Sequence, residues 1–321
     1  MNTDHRIKRR RRNSSSWIVT RRVLLKASAG SVAGAGFSQL SCAMQHPSAG
    51  RRRACRFGIV ADCHYADADA RGSRHYRDSL GKLAECAELM NAQKVDFLIE
   101  LGDFKDEDTD PLEERTIAYL RAVEKVFGRF AGPRYHVLGN HDMDSISKQQ
   151  FLTDVVNTAI DPAKSYYSFD SNGAHFIVLD ANYRFDGADY DHGNFSWADA
   201  NIPPHQLSWL GQDLAAARAP VIVFVHQLLD IRGAHCIKNA DEIRSALKSS
   251  GKVAAVFQGH QHSGNYSRME GIHYYTLKAV VEGQGPENNA YAIVEVLTNG
   301  DIIVTGYRRA DSRRMEVSPV S

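Results

Sequence analysis

Short apolar segments alternate with amphipathic segments along most of the chain. Short, largely apolar segments, which predict buried strands, lie at 56–61, 95–101, 135–138, 221–225 and 253–257, and the segment 221–225 is fully apolar. Between them, apolar residues recur with helical spacing at 75–91, 111–127, 204–217 and 241–249. Strands that alternate with helices in this way are typical of an α/β fold.

The second half of the chain also contains strands without intervening helices. Residues 166–169 and 175–179 predict a hairpin, and three further strands are predicted at 272–277, 291–297 and 302–307. We therefore expect one mixed α/β domain at 56–310, built around two stacked sheets, followed by a loose tail at 311–321. His136, His175 and His273 lie within these strands, and we expect them to be structural.

Charge separates the N-terminal segment from the rest of the chain. Residues 1–53 contain twelve Lys and Arg and one acidic residue, whereas residues 54–321 carry a net charge of −10. An acidic body argues against a nucleic-acid-binding surface there. The chain also has no run of about 20 apolar residues, so we expect no transmembrane segment.

The basic N-terminal segment resembles a twin-arginine export signal. Arg21 and Arg22 are followed by a mildly apolar stretch, and Ser41-Cys42-Ala43 has the pattern of a cleavage site. The resemblance implies removal of residues 1–43, a linker at 44–55, and export through the twin-arginine machinery to the periplasm or outside the cell. Lipid attachment at Cys42 and a retained nucleic-acid-binding arm are the alternatives.

Side chains that can bind metal follow five of the predicted strands. They are Asp62, His64, Asp103, Asn140, His226, His260 and His262. Residues just beyond the carboxyl ends of strands are where α/β proteins build their sites. Imidazole combined with carboxylate oxygen suits manganese, iron or zinc. Seven ligands are too many for one ion with an open position, so we expect two ions that share one carboxylate.

The spacing of two ligand pairs predicts a local geometry. Asp62 and His64 are two residues apart, as are His260 and His262. In extended backbone, residues at this spacing point to the same side. We therefore expect each pair to project from an extended segment.

Four cysteines lie beyond the predicted export signal, at positions 55, 63, 86 and 236. We expect them to be buried thiols, with a disulfide as the alternative.

In order along the chain, these motifs resemble those of the calcineurin-like metallophosphoesterase family. The motifs are D-x-H at 62–64, G-D-x-x-D at 102–106, G-N-H-D at 139–142, His226, and G-H-x-H at 259–262. The resemblance implies a four-layer αββα sandwich and a phosphomonoesterase or phosphodiesterase in which a hydroxide bridging two metals attacks phosphorus in line.

The resemblance also implies a role for each motif residue. Asp103 would bridge the two metals. One metal would be held by Asp62, His64, Asp103 and His262, and the other by Asp103, Asn140, His226 and His260. His141 would assist the reaction as proton donor or charge stabiliser. Asp106 and Asp142 would orient neighbouring histidines.

Further segments, at 61–67, 75–80, 179–183 and 193–194, resemble the branch that contains manganese-dependent ADP-ribose/CDP-alcohol diphosphatases. A nucleotide-diphosphate pyrophosphohydrolase is therefore the alternative activity. Substrate would be a small phosphoester or a nucleotide. Its candidate contacts are Tyr65, His75, Arg77, Asn194, Asn265 and Glu282. Trp197 shares a loop with Asn194, and this loop is a candidate lid or base-stacking platform, with an ordinary loop as the alternative.

Two other function classes are disfavoured. A metal-binding protein without catalysis would be expected to lack a ligand or His141, and the sequence retains all of them. A dinuclear hydrolase of amide or lactone bonds is disfavoured by the adjacency of Asn140 and His141, which favours phosphate chemistry.

Overall fold

The computed structural model of the protein describes residues 53–218 and 220–317. The predicted export signal at 1–43 and most of the predicted linker lie outside these residues. Among the described helices, none is both long enough and apolar enough to cross a membrane.

The described residues form twelve strands and five α-helices. The strands are β1 Arg53–Val60, β2 Phe97–Glu100, β3 Arg134–His136, β4 Tyr167–Ser171, β5 Ala174–Val178, β6 Val221–Phe224, β7 Val253–Gln258, β8 Asn265–Met269, β9 Ile272–Thr276, β10 Ala290–Leu297, β11 Ile302–Arg308 and β12 Arg313–Met315. The helices are α1 Ser79–Gln93, α2 Glu113–Phe127, α3 Lys148–Asp154, α4 Pro204–Ala216 and α5 Ala240–Ser250.

The strands form two six-stranded mixed sheets. The first has the order β12-β11-β10-β1-β2-β3, and the second has the order β4-β5-β6-β7-β9-β8. In the first sheet β1, β2 and β3 are parallel, and in the second β5, β6, β7 and β9 are parallel. The parallel strands are apolar on both faces, because each sheet is covered on both sides.

An aromatic core joins the facing sides of the two sheets. Phe57 of the first sheet meets three phenylalanines of the second edge-on, with ring centroids 5.4–6.0 Å apart: Phe176, Phe224 and Phe257. Edge-to-face packing at this distance is favourable. Helices α1, α2 and α3 pack on the outer face of the first sheet, and α4 and α5 on that of the second. The predicted four-layer αββα sandwich is thus confirmed.

The ends of the domain extend beyond the predicted limits. Strand β1 begins at Arg53, inside the predicted linker, and pairs with β10 from Leu297 onward. Strand β12 lies in the predicted tail, where Met315 is fully buried. Polar residues dominate both segments, so no apolar run marked them as strands.

Two internal elements also lacked an apolar signal. Strand β8 is a polar edge strand, and α3 is only seven residues long. Helix α3 begins with a capping box, in which the Ser147 side chain accepts from the backbone amide of Gln150 and the Gln150 side chain accepts from the backbone amide of Ser147.

The four described cysteines are buried and free, as expected.

Candidate metal centre

Loops after β1, β2, β3, β6 and β7 bring all seven predicted ligands together. The loops after β1 and β2 run side by side, because the Asp62 amide donates to the Gly102 carbonyl at 3.0 Å and the His64 amide donates to the Asp103 carbonyl at 2.8 Å. Six of the ligands are buried, and the His262 side chain is 17% exposed. The site therefore lies at the carboxyl ends of parallel strands from both sheets, as predicted.

The backbone at the ligands is not extended. Asp62, His64, Asp103 and His260 have φ values of 54°, 45°, 55° and 66°. This left-handed conformation costs free energy in residues other than glycine and is concentrated at functional sites. The expectation of extended pairs was wrong, because each loop turns sharply as soon as its strand ends. His260 and His262 consequently point into different clusters.

Two glycines allow the loops to approach closely. A Cβ on Gly139 would overlap the backbone amide of Asp103. Gly102 has a φ of 97°, and a Cβ there would lie 2.5 Å from Nδ1 of His226. The motif glycines therefore make room for the ligands beside them.

The first cluster contains Asp62, His64 and His262. The two Nε2 atoms of the histidines lie 3.2 Å apart. Nδ1 of His64 donates to Asp106 at 3.0 Å, and Nδ1 of His262 donates to Glu282 at 2.6 Å. Because the outer nitrogen of each ring carries the proton, the two Nε2 lone pairs face each other. A cation between them removes that repulsion.

The second cluster contains Asp103, His226 and His260. Nδ1 of His226 donates to the Leu101 carbonyl at 2.8 Å, which turns its Nε2 toward Oδ2 of Asp103, 3.1 Å away. The same Oδ2 lies 3.4 Å from Nε2 of His64, in the first cluster. Oδ1 of Asp103 accepts from the His141 amide. One carboxylate oxygen of Asp103 thus faces both clusters. This is the position expected for the predicted bridging ligand.

Four ligand atoms are buried without a hydrogen-bond partner among the described residues. They are Oδ2 of Asp62, Oδ1 of Asn140, Nε2 of His226 and Nε2 of His260. A buried polar atom left unsatisfied costs roughly 1–3 kcal/mol. Bare imidazole nitrogens, an amide oxygen and carboxylates form the donor set that manganese, iron and zinc accept. The residues present therefore fit two metal ions.

The charge states of His64, His260 and Asp103 suit metal binding. At His226, burial is outweighed by Asp103, which raises the pKa of this histidine to about 9, so a metal would have to displace a proton there. Burial lowers the pKa of His64 to about 4 and holds the pKa of His260 well below its usual range. Burial opposes ionisation of Asp103, but His226, His141 and His64 outweigh it and hold its pKa well below normal. Neutral imidazoles and an ionised carboxylate are the forms that bind metals.

His141 lies beside the candidate ligands. It belongs neither to the first cluster, which contains Asp62, nor to the second cluster, which contains Asp103. It begins a short 3₁₀ helix, His141–Met143, and its ring is 4.7 Å from that of His64. Nδ1 contacts Asp144 at 2.6 Å, and 28% of the side chain is exposed. Burial alone would lower the pKa of His141, but Asp103 and Asp144 raise it to about 10. Asp144 was missed by sequence reasoning, although it lies three residues after His141.

Of the two predicted orienting carboxylates, Asp106 contacts a histidine, as described above, and Asp142 does not. Oδ2 of Asp142 accepts from the amides of Gly139 and Asp103, and Oδ1 accepts from the amide of Phe104. The loops after β2 and β3 leave these amides without other acceptors, so Asp142 joins the two loops.

The predicted substrate contacts mostly lie elsewhere. Glu282 contacts His262, so it positions a ligand. Arg77 pairs with Asp67 and Asp69 on the surface. Tyr65 packs against Tyr119, with ring centroids 5.9 Å apart.

The other three candidates contact protein groups outside the cleft. The Asn194 side chain accepts from the amide of Asp191 in its own loop, and Asn265 donates to Asp230. The His75 amide donates to the Val281 carbonyl. None of these candidates lines the cleft above the metal clusters, which is instead bordered by Arg74, Trp197 and His235.

Comparisons with known proteins agree with this geometry. Residues 55–264 match the model of the calcineurin-like phosphoesterase family. A manganese-dependent ADP-ribose/CDP-alcohol diphosphatase from Oryza sativa is 28% identical over 80% of this chain and 92% of its own length. A probable cyclic nucleotide phosphodiesterase from Fibrobacter succinogenes is 26% identical over 68% of this chain and 77% of its own length.

A solved structure shares the fold. The dimetal phosphatase from Danio rerio superposes with a TM-score of 0.71 at 20% identity, over 83% of this chain and all of that chain. The family match covers most of the chain, and the motif residues within it form the two clusters described above. The chain therefore belongs to the calcineurin-like phosphoesterase family and is a hydrolase of phosphoester or phosphoanhydride bonds.

Proposed function

We propose that the protein is a dinuclear metal-dependent hydrolase of small phosphomonoesters or phosphodiesters. The observation that carries the proposal is the pair of facing Nε2 atoms in His64 and His262, whose outer nitrogens are both anchored by carboxylates. When bound, two divalent ions would activate water and neutralise charge on the phosphoryl oxygens.

The remaining chemistry belongs to the chain. Asp106 and Glu282 keep the ligand rings in the tautomer that leaves Nε2 bare. Asp144 contacts Nδ1 of His141 and, together with Asp103, favours the doubly protonated ring, so that Nε2 can give a proton to a leaving oxygen. The walls of the site are buried, which strengthens each of these electrostatic interactions.

The test is turnover of a substrate panel by the purified protein with added manganese, with and without chelator. The panel contains an aryl phosphate, a bis-aryl phosphodiester, ADP-ribose and a CDP-alcohol. We expect chelator-sensitive turnover and two metal ions per chain. Asp103→Asn should strongly reduce turnover and should bind fewer than two metal ions per chain. The surface variant Glu270→Gln should equal the parent in turnover and in metal content. Turnover that persists in chelator would contradict the proposal.

A second candidate is hydrolysis of a nucleotide diphosphate at its pyrophosphate. It is supported by the named activity of the Oryza sativa relative, which aligns over 92% of that relative's length. Turnover of ADP-ribose or the CDP-alcohol without turnover of the aryl phosphates would select this candidate.

We also propose export by the twin-arginine route, on the basis of Arg21, Arg22 and the cleavage pattern that ends at Ala43. N-terminal sequencing of the protein from the producing cell should find a chain that begins near residue 44. Replacing both arginines with lysine should leave the full-length chain in the cytoplasm. A parent protein that retains residues 1–43 would overturn this proposal.

A further inference from the structure

A cleft of about 340 Å³ lies over the two metal clusters. Its lining includes five residues already assigned as ligands or as the proton donor: Asp103, Asn140, His141, His260 and His262. Three other side chains, those of Arg74, Trp197 and His235, have no role in the metal chemistry. They lie at two different ends of the cleft.

One end of the cleft is aromatic. The ring of Trp197 is 5.1 Å from that of His235 and 5.8 Å from that of His260, and His235 is 4.9 Å from His260. Trp197 is 44% exposed, and Nδ1 of His235 is buried without a partner among the described residues. An exposed indole beside a metal ligand offers a planar surface on which a flat group can stack.

The other end of the cleft is cationic. Nη1 of Arg74 is 3.9 Å from Oδ2 of Asp106, beyond hydrogen-bond distance, and that oxygen already accepts from His64. The Arg74 charge also opposes the rise in the pKa of Tyr76 that burial causes. A guanidinium has five N–H donors arranged as a fork, so these contacts leave donors available for a phosphate.

The two ends flank opposite metal clusters. Arg74 is linked through Asp106 to His64 of the first cluster, and His141 packs on the same histidine. Trp197 and His235 pack on His260 of the second cluster. A phosphorus bound between the clusters therefore has one substituent directed to Arg74 and His141, and another directed to the aromatic end.

We propose that Trp197 and His235 bind the planar group of a nucleotide-like substrate, and that Arg74 binds a phosphate on its leaving group. This inference rests on the proposed hydrolase function. Water forms a bond to the phosphorus that carries the planar group's alcohol. The bond from that phosphorus to the leaving oxygen breaks, its electron pair stays on the leaving oxygen, and His141 supplies the proton. The water proton passes to solvent.

Binding of phosphonate analogues, in which carbon replaces each bridging oxygen that hydrolysis would release, tests both ends without turnover. Dissociation constants of the analogues of AMP, ribose 5-phosphate and ADP, named below by their parent compounds, are measured by calorimetry on the manganese-loaded protein, with metal content determined for every variant. Trp197→Leu should weaken AMP about 10-fold and leave ribose 5-phosphate unchanged, because only AMP carries a base that can stack on the indole. Equal weakening of both ligands, or no weakening, would overturn the aromatic assignment.

Arg74→Gln should weaken ADP about 10-fold more than it weakens AMP, because only ADP carries the second phosphate. Equal effects on both ligands would overturn the cationic assignment. Two controls are matched in chemistry. Phe185→Leu removes a residue that is 80% exposed in the same loop as Trp197, and Arg121→Gln removes a surface arginine that pairs with Asp154. Both should bind all three ligands like the parent.

Hydrolysis of ADP-ribose in ¹⁸O-labelled water tests the orientation of the substrate. The label should appear in AMP and not in ribose 5-phosphate, because the attacked phosphorus keeps the adenosine. Label in ribose 5-phosphate would overturn the proposed orientation. If ADP-ribose is not turned over, the diphosphatase candidate fails, while the calorimetric results still decide the roles of Trp197 and Arg74.

Discussion

The protein contains two kinds of buried histidine–carboxylate cluster, and they differ in what the inner ring nitrogens face. In the first metal cluster, Nδ1 of His64 and Nδ1 of His262 are each held by a carboxylate, and the two Nε2 atoms face each other at 3.2 Å. At the end of β3, by contrast, a single imidazole lies between two carboxylates: Nδ1 of His136 is 3.7 Å from Glu100, and Nε2 is 3.1 Å from Glu124.

This difference determines which cation each cluster holds. Burial alone would lower the pKa of His136, but Glu124 and Glu100 raise it to about 9. His136 therefore carries its own positive charge and neutralises the carboxylates around it. In the metal clusters, burial and neighbouring histidines lower the pKa of His64 to about 4 and hold that of His260 well below its usual range, so these two rings stay neutral and can bind a metal. Several imidazoles that converge thus mark the metal site, whereas one imidazole between carboxylates forms a buried ion pair.

The largest effect is expected from Asp103→Asn. Its Oδ2 faces both clusters, so the change removes the negative charge that the two ions share. Since metal stabilisation of charge is worth several kcal/mol, kcat/KM should fall by about three orders of magnitude or more. Metal analysis should find fewer than two ions per chain. Full metal occupancy with parental kcat/KM would show that Asp103 is not the bridge.

A smaller loss is expected when the anchor of a ligand is removed. Glu282→Ala frees Nδ1 of His262, so the ring can rotate and change tautomer. Removing a carboxylate that accepts a hydrogen bond from a metal-binding histidine typically costs about 10–100-fold in metal affinity. Glu282→Gln, which keeps an acceptor oxygen without the charge, should lie between the parent and the alanine variant.

Metal titration with a fluorescent competitor measures this loss. Glu270→Ala is the matched control, because Glu270 pairs with Lys248 on the surface. If Glu282→Ala binds metal as tightly as Glu270→Ala does, the anchoring carboxylate is not needed, and the distinction between the two kinds of cluster fails.

The convergence of the candidate metal ligands could be predicted from the sequence, whereas most of the anchoring residues and of the rim of the cleft could not. Asp103 and His226 follow apolar strands directly, and the parallel order of those strands brings their ends together. Glu282 lies 20 residues after His262, in a loop whose path depends on both sheets. Arg74 and Arg77 are chemically equivalent in the sequence. Only the surface carboxylates Asp67 and Asp69 decide that Arg77 turns away from the site.

The His136 cluster should make stability depend on pH. The folded-state pKa of His136 is raised, so its stabilising contribution is complete below pH 6.5 and is lost as the pH rises through about 9. Burial also raises the pKa of Glu100 to about 8, which acts in the same direction. The free energy of unfolding should therefore decline between pH 7 and 9, by up to about 1.4 kcal/mol per pH unit for each proton lost.

His136→Gln separates this effect from other titrations. Its unfolding free energy, measured by urea denaturation, should be lower than that of the parent at pH 6.5 and should decline less steeply toward pH 9. The two curves should converge at high pH, where His136 of the parent is neutral. Parallel curves for the parent and the variant would show that His136 does not hold the extra proton.

The smallest effect is expected at His175, which pairs with Asp213 and Asp170 at the protein surface. Hydrogen bonding to Asp213 raises the pKa of His175 against the opposing effect of partial burial. Asp170 is largely exposed, and solvent screens such pairs, so His175→Gln should cost less than about 1 kcal/mol. That cost should shrink as the pH rises above 6.5, and also in 0.5 M salt. At His136 salt should have little effect, because its side chain is 1% exposed. If salt reduced the cost of substitution equally at His175 and His136, solvent would screen both positions alike, and burial would not protect the His136 cluster.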